Sequence, residues 1–277
     1  MDTISMLPED HQLRSDFIRG LVQKPFNGVK SSLSLDKVIP KRIVQFWDDL
    51  NRLPEDVKDC MESWKKVDQF GFERILFGKI AAKNFISQKL GARYERAFER
   101  CYHPAMQSDY FRLCYIMLEG GCYIDADDVY SGAPIDHLFD NGLLKIQPLC
   151  YDMTTDSMVP PKKFTKEGAN ATSWIFYFNN NPVISSVGHP IIEYALEQAT
   201  ASLEIDSLDS LPEIQSTTGP GNLTKSIFDL TTQDFDVREE ILVLGDWEDT
   251  AESRWDLSYR NDTRNWRLSN SKYYNKY

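Results

Sequence analysis

The sequence predicts an α/β fold, a single domain whose central, mostly parallel sheet is flanked by helices. Three observations lead there. From Ile39 onward short apolar runs alternate with stretches of helical periodicity. No internal repeat or low-complexity stretch points to a solenoid or a propeller. A nearly all-apolar helix from about Ser108 to Glu119 stops at Gly120-Gly121, as a left-handed C-terminal cap requires, and a short apolar strand, Cys122-Tyr123-Ile124, follows at once.

In chain order, Leu13, Phe17, Ile18 and Leu21 share one face of a helix over about residues 10–23, and the polar stretch Asn27–Lys37 reads as a linker. Residues 1–37 are thus an N-terminal helical extension with its linker, and 38–277 the main domain. Arg42–Phe46 is the first strand. Pro54 suits the first position of a helix with acids in its first turn and Val57, Cys60, Met61 and Trp64 at helical spacing. Phe72–Phe77 is a second strand, and helices follow over about 79–90 and 92–102. The second half is less regular, with strands expected at Leu143–Tyr151, Trp174–Phe178 and Ile241–Leu244 and a helix after Pro190.

Acidic residues outnumber basic ones, 42 to 31, and the net charge of −11 repels phosphate backbones, so nucleic acid is not an expected partner. The five cysteines show neither paired nor zinc-binding spacing and read as buried thiols of a reducing compartment. Asp2, Glu9 and Asp10 stand where a signal peptide needs basic and then apolar residues, and no run approaches a membrane span. The expectation is a cytoplasmic protein, although three Asn-x-Thr sequons, at Asn170, Asn222 and Asn261, would suit secretion.

The chemistry concentrates in Asp125-Ala126-Asp127 at the end of the strand Cys122-Tyr123-Ile124. If the backbone stays extended, both carboxylates project to one side, while Asp128 points away and is structural. Ligands of open α/β sheets bind outside such strand ends. Two hard oxygen donors suit Mn²⁺ or Mg²⁺, which would share substrate phosphates and stabilise a departing diphosphate. Removing either charge would relieve repulsion, so the metal-free protein should be no less stable for it. A solvated acidic turn is the plainer alternative. A second chemistry also fits, because Asp125-Ala126-Asp127-Asp128-Val129 resembles the nucleophile motif of haloacid-dehalogenase-type phosphatases, and Gly245-Asp246-Trp247-Glu248-Asp249 resembles that family's GDxxD.

Upstream lies Ser108-Asp109-Tyr110-Phe111-Arg112, and Glu119-Gly120-Gly121-Cys122-Tyr123-Ile124 leads into the acidic motif. Together they resemble the SDxxR…GGxYxDxD signature of glycosyltransferase family 32, the sugar-binding region containing a DXD motif. Ser108, Asp109 and Arg112 share one helical face, and a charged face on an apolar helix needs partners. Three more landmarks extend the resemblance over roughly Ile39 to Leu230, among them Asn179–Pro190, which resembles the family's segment ending in a Gly-His-Pro that begins a helix. Ile39-Pro40-Lys41-Arg42-Ile43-Val44-Gln45-Phe46-Trp47 is similar to the family's IPKxIHQxW, with Val44 in place of the His, and Thr218-Gly219-Pro220-Gly221 to its TGPG turn. His189, directly before the helix-starting Pro190, reads as structural.

The resemblance implies a retaining GT-A glycosyltransferase, hexosyl or N-acetylhexosaminyl, that uses Mn²⁺ or Mg²⁺ and a nucleotide-sugar, UDP- rather than GDP-linked. It implies donor contacts from Trp47, Ser108, Asp109, Arg112, Asp125, Asp127, Gly219 and Pro220, with Trp47 against the base and Asp109 and Arg112 on sugar hydroxyls. The metal would be held by Asp125 and Asp127, with Asn261 or Asp262 as a weaker third ligand. The acceptor would be a saccharide or a lipid-linked glycan, as in bacterial surface-polysaccharide synthesis. A non-catalytic nucleotide-sugar binding module and the phosphatase stand as alternatives. The segment Arg260–Tyr277 holds five basic residues against one acid, interleaved with aromatics. It would either touch an anionic membrane at the inner face or close over the donor site as a lid.

Overall fold

The structure, a computed structural model, describes residues 8–24, 34–205, 211–231 and 235–268. Its elements are α1 (Pro8–Gln23), β1 (Arg42–Phe46), α2 (Glu55–Ser63), β2 (Glu73–Phe77), α3 (Lys79–Leu90), α4 (Ala92–Arg100), α5 (Pro104–Glu119), β3 (Gly121–Tyr123) and β4 (Asp128–Tyr130). There follow β5 (Leu144–Asp152), β6 (Ser157–Met158), α6 (Pro161–Phe164), β7 (Trp174–Ser185), α7 (Pro190–Glu204), α8 (Ile214–Thr217), α9 (Pro220–Leu230), α10 (Val237–Glu240), β8 (Ile241–Val243) and β9 (Ala251–Ser253). The linker expected at Asn27–Lys37 lies outside the described residues as far as 33.

Seven strands form one sheet of order β2-β1-β3-β7-β5-β6, with β8 also on β5. Strands β1, β2, β3, β5 and β8 run one way and β6 and β7 the other, so the sheet is mostly parallel, as expected. Side chains alternate between two cores, the period-2 signature of a buried strand. Val44, Tyr123 and Val183 enter the larger one with α1, α5, α7 and α9, while Ile43, Cys122 and Ile184 enter the other with Trp64, Phe72 and Trp247. Each fully buried side chain of this kind contributes about 1.5–3 kcal/mol. All five cysteines are buried and free. Among the described residues no helix is long and apolar enough to cross a membrane.

Three local features place the site. Helix α5 begins at Pro104, four residues before Ser108, because the His103 ring accepts from Ala105 N (3.0 Å) and Pro104 fits the first turn. It ends at Gly120 and Gly121, both with positive φ (64° and 103°), and a Cβ on Gly121 would stand 2.9 Å from the Arg42 carbonyl oxygen. The chain thus turns from α5 into β3 within one residue.

Strand β7 does not stop at Phe178 but runs on to Ser185. Its register with β5 passes from Ile146↔Val183 to Pro148↔Phe178, so five steps on β7 face two on β5. The three extra residues lie within Asn179–Pro182, a bulge that re-aims side chains. An Asn-Asn-Asn-Pro run signals the end of a strand in sequence, but here the strand pairs again beyond it, with β3 and β5 at Val183 and Ile184.

Candidate active site

The acidic motif is a turn, not an extended strand end. Ile124 still donates to Val44 O (3.0 Å), but Asp128 N donates back to Asp125 O (3.2 Å), closing a turn over Ala126 and Asp127. The expected extended geometry is therefore corrected. Asp125 and Asp127 nevertheless border the same cleft, of about 870 Å³, near the upper end of the range of about 300–1,000 Å³ usual for small-molecule sites. After the turn, β4 pairs with β9 through Asp128↔Ser253 and Tyr130↔Ala251, and Trp64 Nε1 donates to Asp128 O (3.0 Å). Asp128 is buried, accepting from Asn181 Nδ2 (2.8 Å) and Ser253 Oγ (2.5 Å), yet it also borders the cleft. Burial pushes its carboxyl up to about 8, with the nearby Asp127 and Asp125 charges adding to the rise.

Arg112, 2% exposed, is the hub. Its Nη2 reaches Asp125 Oδ1 (2.8 Å), Asp109 Oδ1 (2.9 Å) and Ser108 Oγ (3.2 Å), its Nη1 donates to Asn180 O, and the guanidinium lies 4.4 Å from the centre of the Tyr123 ring. The helical face of Ser108, Asp109 and Arg112 thus finds its partners largely within the protein. Burial raises Asp125 to about 6, against the opposing pull of Arg112. Asp109 is likewise raised by burial and opposed by Arg112.

Asn180 and Asn181 were not foreseen as site residues. Asn180 Nδ2 donates to Asp109 Oδ1 (2.8 Å), and Asn181 Oδ1 accepts from Asp125 N (3.0 Å) while its Nδ2 holds Asp128. The bulge of β7 is what delivers both amides. The sequence offered one signal, a run of asparagines before a proline inside an apolar strand pattern.

The segment after β9 folds back over the motif. Tyr259 Oη donates to Asp127 Oδ2 (2.7 Å), and Arg260 Nη2 pairs with the same oxygen (2.5 Å). Trp47, 8% exposed, meets Tyr259 edge to face (5.4 Å) and lies beneath the Arg264 guanidinium (5.6 Å). Arg267 sits against Trp255 and Trp266. Arg260 and Arg264 of the basic tail therefore turn towards the motif, whereas Arg267 and Leu268 are exposed and residues 269–277 of Arg260–Tyr277 lie outside the described residues. Because Asp125 and Asp127 each hold a cation, their mutual repulsion is compensated. The expectation that the metal-free protein is no less stable without either charge is corrected, since losing Asp127 would leave Arg260 unpaired and losing Asp125 would leave Arg112 with Asp109 as its single acid.

Of the other residues singled out in the sequence, Pro220 borders the cleft. A Cβ on Gly219 would come within 3.2 Å of Asp109 Oδ2, so Thr218-Gly219-Pro220-Gly221 opens helix α9 against the site. Asp262 does not join the acids, because Arg264 Nη2 (2.6 Å) and Nε take its oxygens. Neither it nor Asn261 borders the cleft. His189 is fully buried, caps Ile191 N (3.3 Å) and contacts Glu240 O through Nε2 (3.2 Å). Burial lowers it to about 4, which suits a neutral structural ring. Asp246 and Asp249 follow β8, which β7 and β5 separate from β3, and only Asp249 reaches the edge of the cleft.

This α/β fold, with an Asp-x-Asp turn beside a buried arginine at the end of its sheet strand, has a match among known families. Residues 41–142 match the family "Glycosyltransferase sugar-binding region containing DXD motif", a span that includes Ser108–Arg112 and the Asp-x-Asp. Over these residues the chain is thus similar to a glycosyltransferase sugar-binding region. Among solved structures it is similar to the "PaToxG Glycosyltransferase", with 17% identity over 80% of this chain and 76% of that one and a TM-score of 0.47. No curated protein matches.

Proposed function

We propose that the protein is a metal-dependent retaining glycosyltransferase of GT-A type that takes a nucleotide-sugar, UDP- rather than GDP-linked, and transfers a hexosyl or N-acetylhexosaminyl group to a saccharide or lipid-linked acceptor. The observation that carries this reading is the family match over the segment whose two acids, Asp125 and Asp127, face one cleft. The donor set suits Mn²⁺ or Mg²⁺. Arg112 takes Oδ1 of Asp125, and Tyr259 and Arg260 take Oδ2 of Asp127, so each carboxylate has one oxygen without a hydrogen bond among the described residues. No group of three or more His, Cys, Asp or Glu residues there could hold a metal ion. The protein would supply two carboxylates, and phosphate and water the remaining ligands. When bound, such an ion offsets the charge that develops on a departing diphosphate.

The chain's own residues do the positioning. Arg112 fixes Asp125, the amide of Asn181 holds the turn from Asp125 to Asp128, and Asp109 and Ser108 stand beside the cleft to meet sugar hydroxyls. Trp47 would lie against the base once Tyr259 and Arg264 draw back. A screen of UDP- and GDP-sugars for donor hydrolysis with and without Mn²⁺ tests the reading. Slow, Mn²⁺-dependent release of sugar from a UDP-sugar is expected. Aryl phosphatase activity lost in Asp246→Asn, with no donor turnover, would replace it with the phosphatase.

The inward course of Tyr259, Arg260 and Arg264 favours a lid over a membrane anchor. Arg260→Ala is expected to lower donor turnover at least about ten-fold, the scale of a lost charge contact to a diphosphate. Binding to anionic vesicles should stay unchanged. Weaker vesicle binding with full turnover would restore the membrane role.

A further inference from the structure

The sheet is covered unequally. Along β7 the side chains alternate: Trp174, Phe176 and Phe178 are buried in the larger core, whereas Ile175, Tyr177 and Asn179 on the opposite face are only partly covered or exposed. The buried face is held down by α1 and α9, with Ser15 Oγ accepting from Phe176 N (2.9 Å) and Thr224 Oγ1 from Phe178 N (3.0 Å). On the other face Ile175 and Met158 are 38% and 46% exposed, Leu149, Tyr151, Tyr177 and Asn179 are partly covered, and Gln147 at the inner end is buried. Cross-strand partners there form rows. Asn179 donates to Gln147 Oε1 (3.2 Å), Tyr177 stands opposite Leu149, and Tyr151 lies between Ile175 and Met158.

A sheet face left open in this way needs a reason, since apolar sheet surface is ordinarily packed. Here the open face is continuous with the cleft of the Asp-x-Asp, whose wall takes in Gln147, Leu149, Met158, Tyr177, Asn179 and Trp266. Its chemistry differs from that of the donor end. Arginines and aspartates surround the motif, whereas the open rows offer an amide pair, a phenol and apolar surface. Arg267, which borders the same cleft, is stacked on Trp255 and Trp266. A neutral floor of aromatic and aliphatic groups with two amides at its inner end suits a ligand with one apolar face and a rim of hydroxyls, that is, a pyranose ring. The cleft of about 870 Å³ is large enough to hold such a ring besides a nucleotide-sugar.

We infer that the β5–β7 face from Gln147 and Asn179 out to Met158 is the acceptor subsite, and that the acceptor unit it holds is a neutral sugar ring, with Tyr177 beneath the ring and the Gln147–Asn179 amides on its hydroxyls. This rests on the glycosyltransferase reading above and deepens it. Two variants test it. Tyr177→Ala removes the floor. Met158→Arg places a charge at the outer end, where the side chain is 46% exposed and folding is not at stake.

The readouts are the KM for fluorescently tagged neutral mono- and disaccharides, the KM for the UDP-sugar, and saturation-transfer NMR of methyl glycosides with UDP and Mn²⁺ present. Both variants should raise the acceptor KM at least ten-fold and weaken the methyl-glycoside signal, with the donor KM within two-fold of wild type. An unchanged acceptor KM in both, or wild-type transfer only to proteins, overturns the subsite while leaving the donor reading intact. If the wild-type protein turns over no nucleotide-sugar, the proposed function falls, and the subsite with it.

Discussion

Asp127→Asn is expected to lower Mn²⁺-dependent donor turnover by about 10²–10³-fold, the usual consequence of removing one group that stabilises charge on a leaving diphosphate. Asn keeps the shape and one oxygen but loses the charge that would bring a divalent ion to the turn. Asp125→Asn should also cripple turnover, since Arg112 would then face a neutral amide and the turn would lose its brace. The structure adds a stability consequence. Arg260, whose side chain is only 16% exposed, pairs with Asp127, so Asp127→Asn should lower the thermal midpoint of the metal-free protein. Turnover and thermal melting on the same sample check both statements. Near-normal transfer in Mn²⁺ by either variant would end the metal assignment.

Arg112→Lys should cost nearly as much. The guanidinium reaches Asn180 O, Ser108 Oγ, Asp109 and Asp125 at once, and its planar fork spreads these contacts over two nitrogens. A lysine keeps the charge but offers one nitrogen, so at least two partners lose their donor in a buried site. Breaking a buried pair by removing one partner costs about 3–5 kcal/mol; keeping the charge should reduce this to the order of 2 kcal/mol. Donor turnover is expected to fall at least about 10²-fold, because Asp125 would no longer be held in place. A denaturant midpoint shift with full activity would reduce Arg112 to a structural stitch.

Most of the architecture was legible because it rests on local rules. The α5 helix, its Gly120-Gly121 stop and the Cys122-Tyr123-Ile124 strand follow from periodicity and the need for positive φ. The charged face of Ser108, Asp109 and Arg112 follows from i, i+3 and i+4 spacing. What escaped depends on contacts between residues far apart in the chain. The turn at Asp125–Asp128 is braced by Asn181, and β7 resumes its pairing at Val183 after an Asn-Asn-Asn-Pro run that reads as a strand end. Strand β4 is three residues long and exists only because β9 lies beside it. Asp262 was a candidate ligand on sequence position, but Arg264, two residues on, claims it through a local contact.

The pairing of β4 with β9 also sets a timetable. Asp128 and Ser253 are 125 residues apart, and Asp127 and Arg260 are 133 apart. At a synthesis rate of about 5–20 residues per second, the acidic turn waits roughly 6 to 27 s for those partners after it has been made. During that interval the N-terminal half of the sheet can already form from β1, β2 and β3, but β4 has no strand to pair with. The acidic turn therefore stays unfinished until Ser253 and Arg260 have been made.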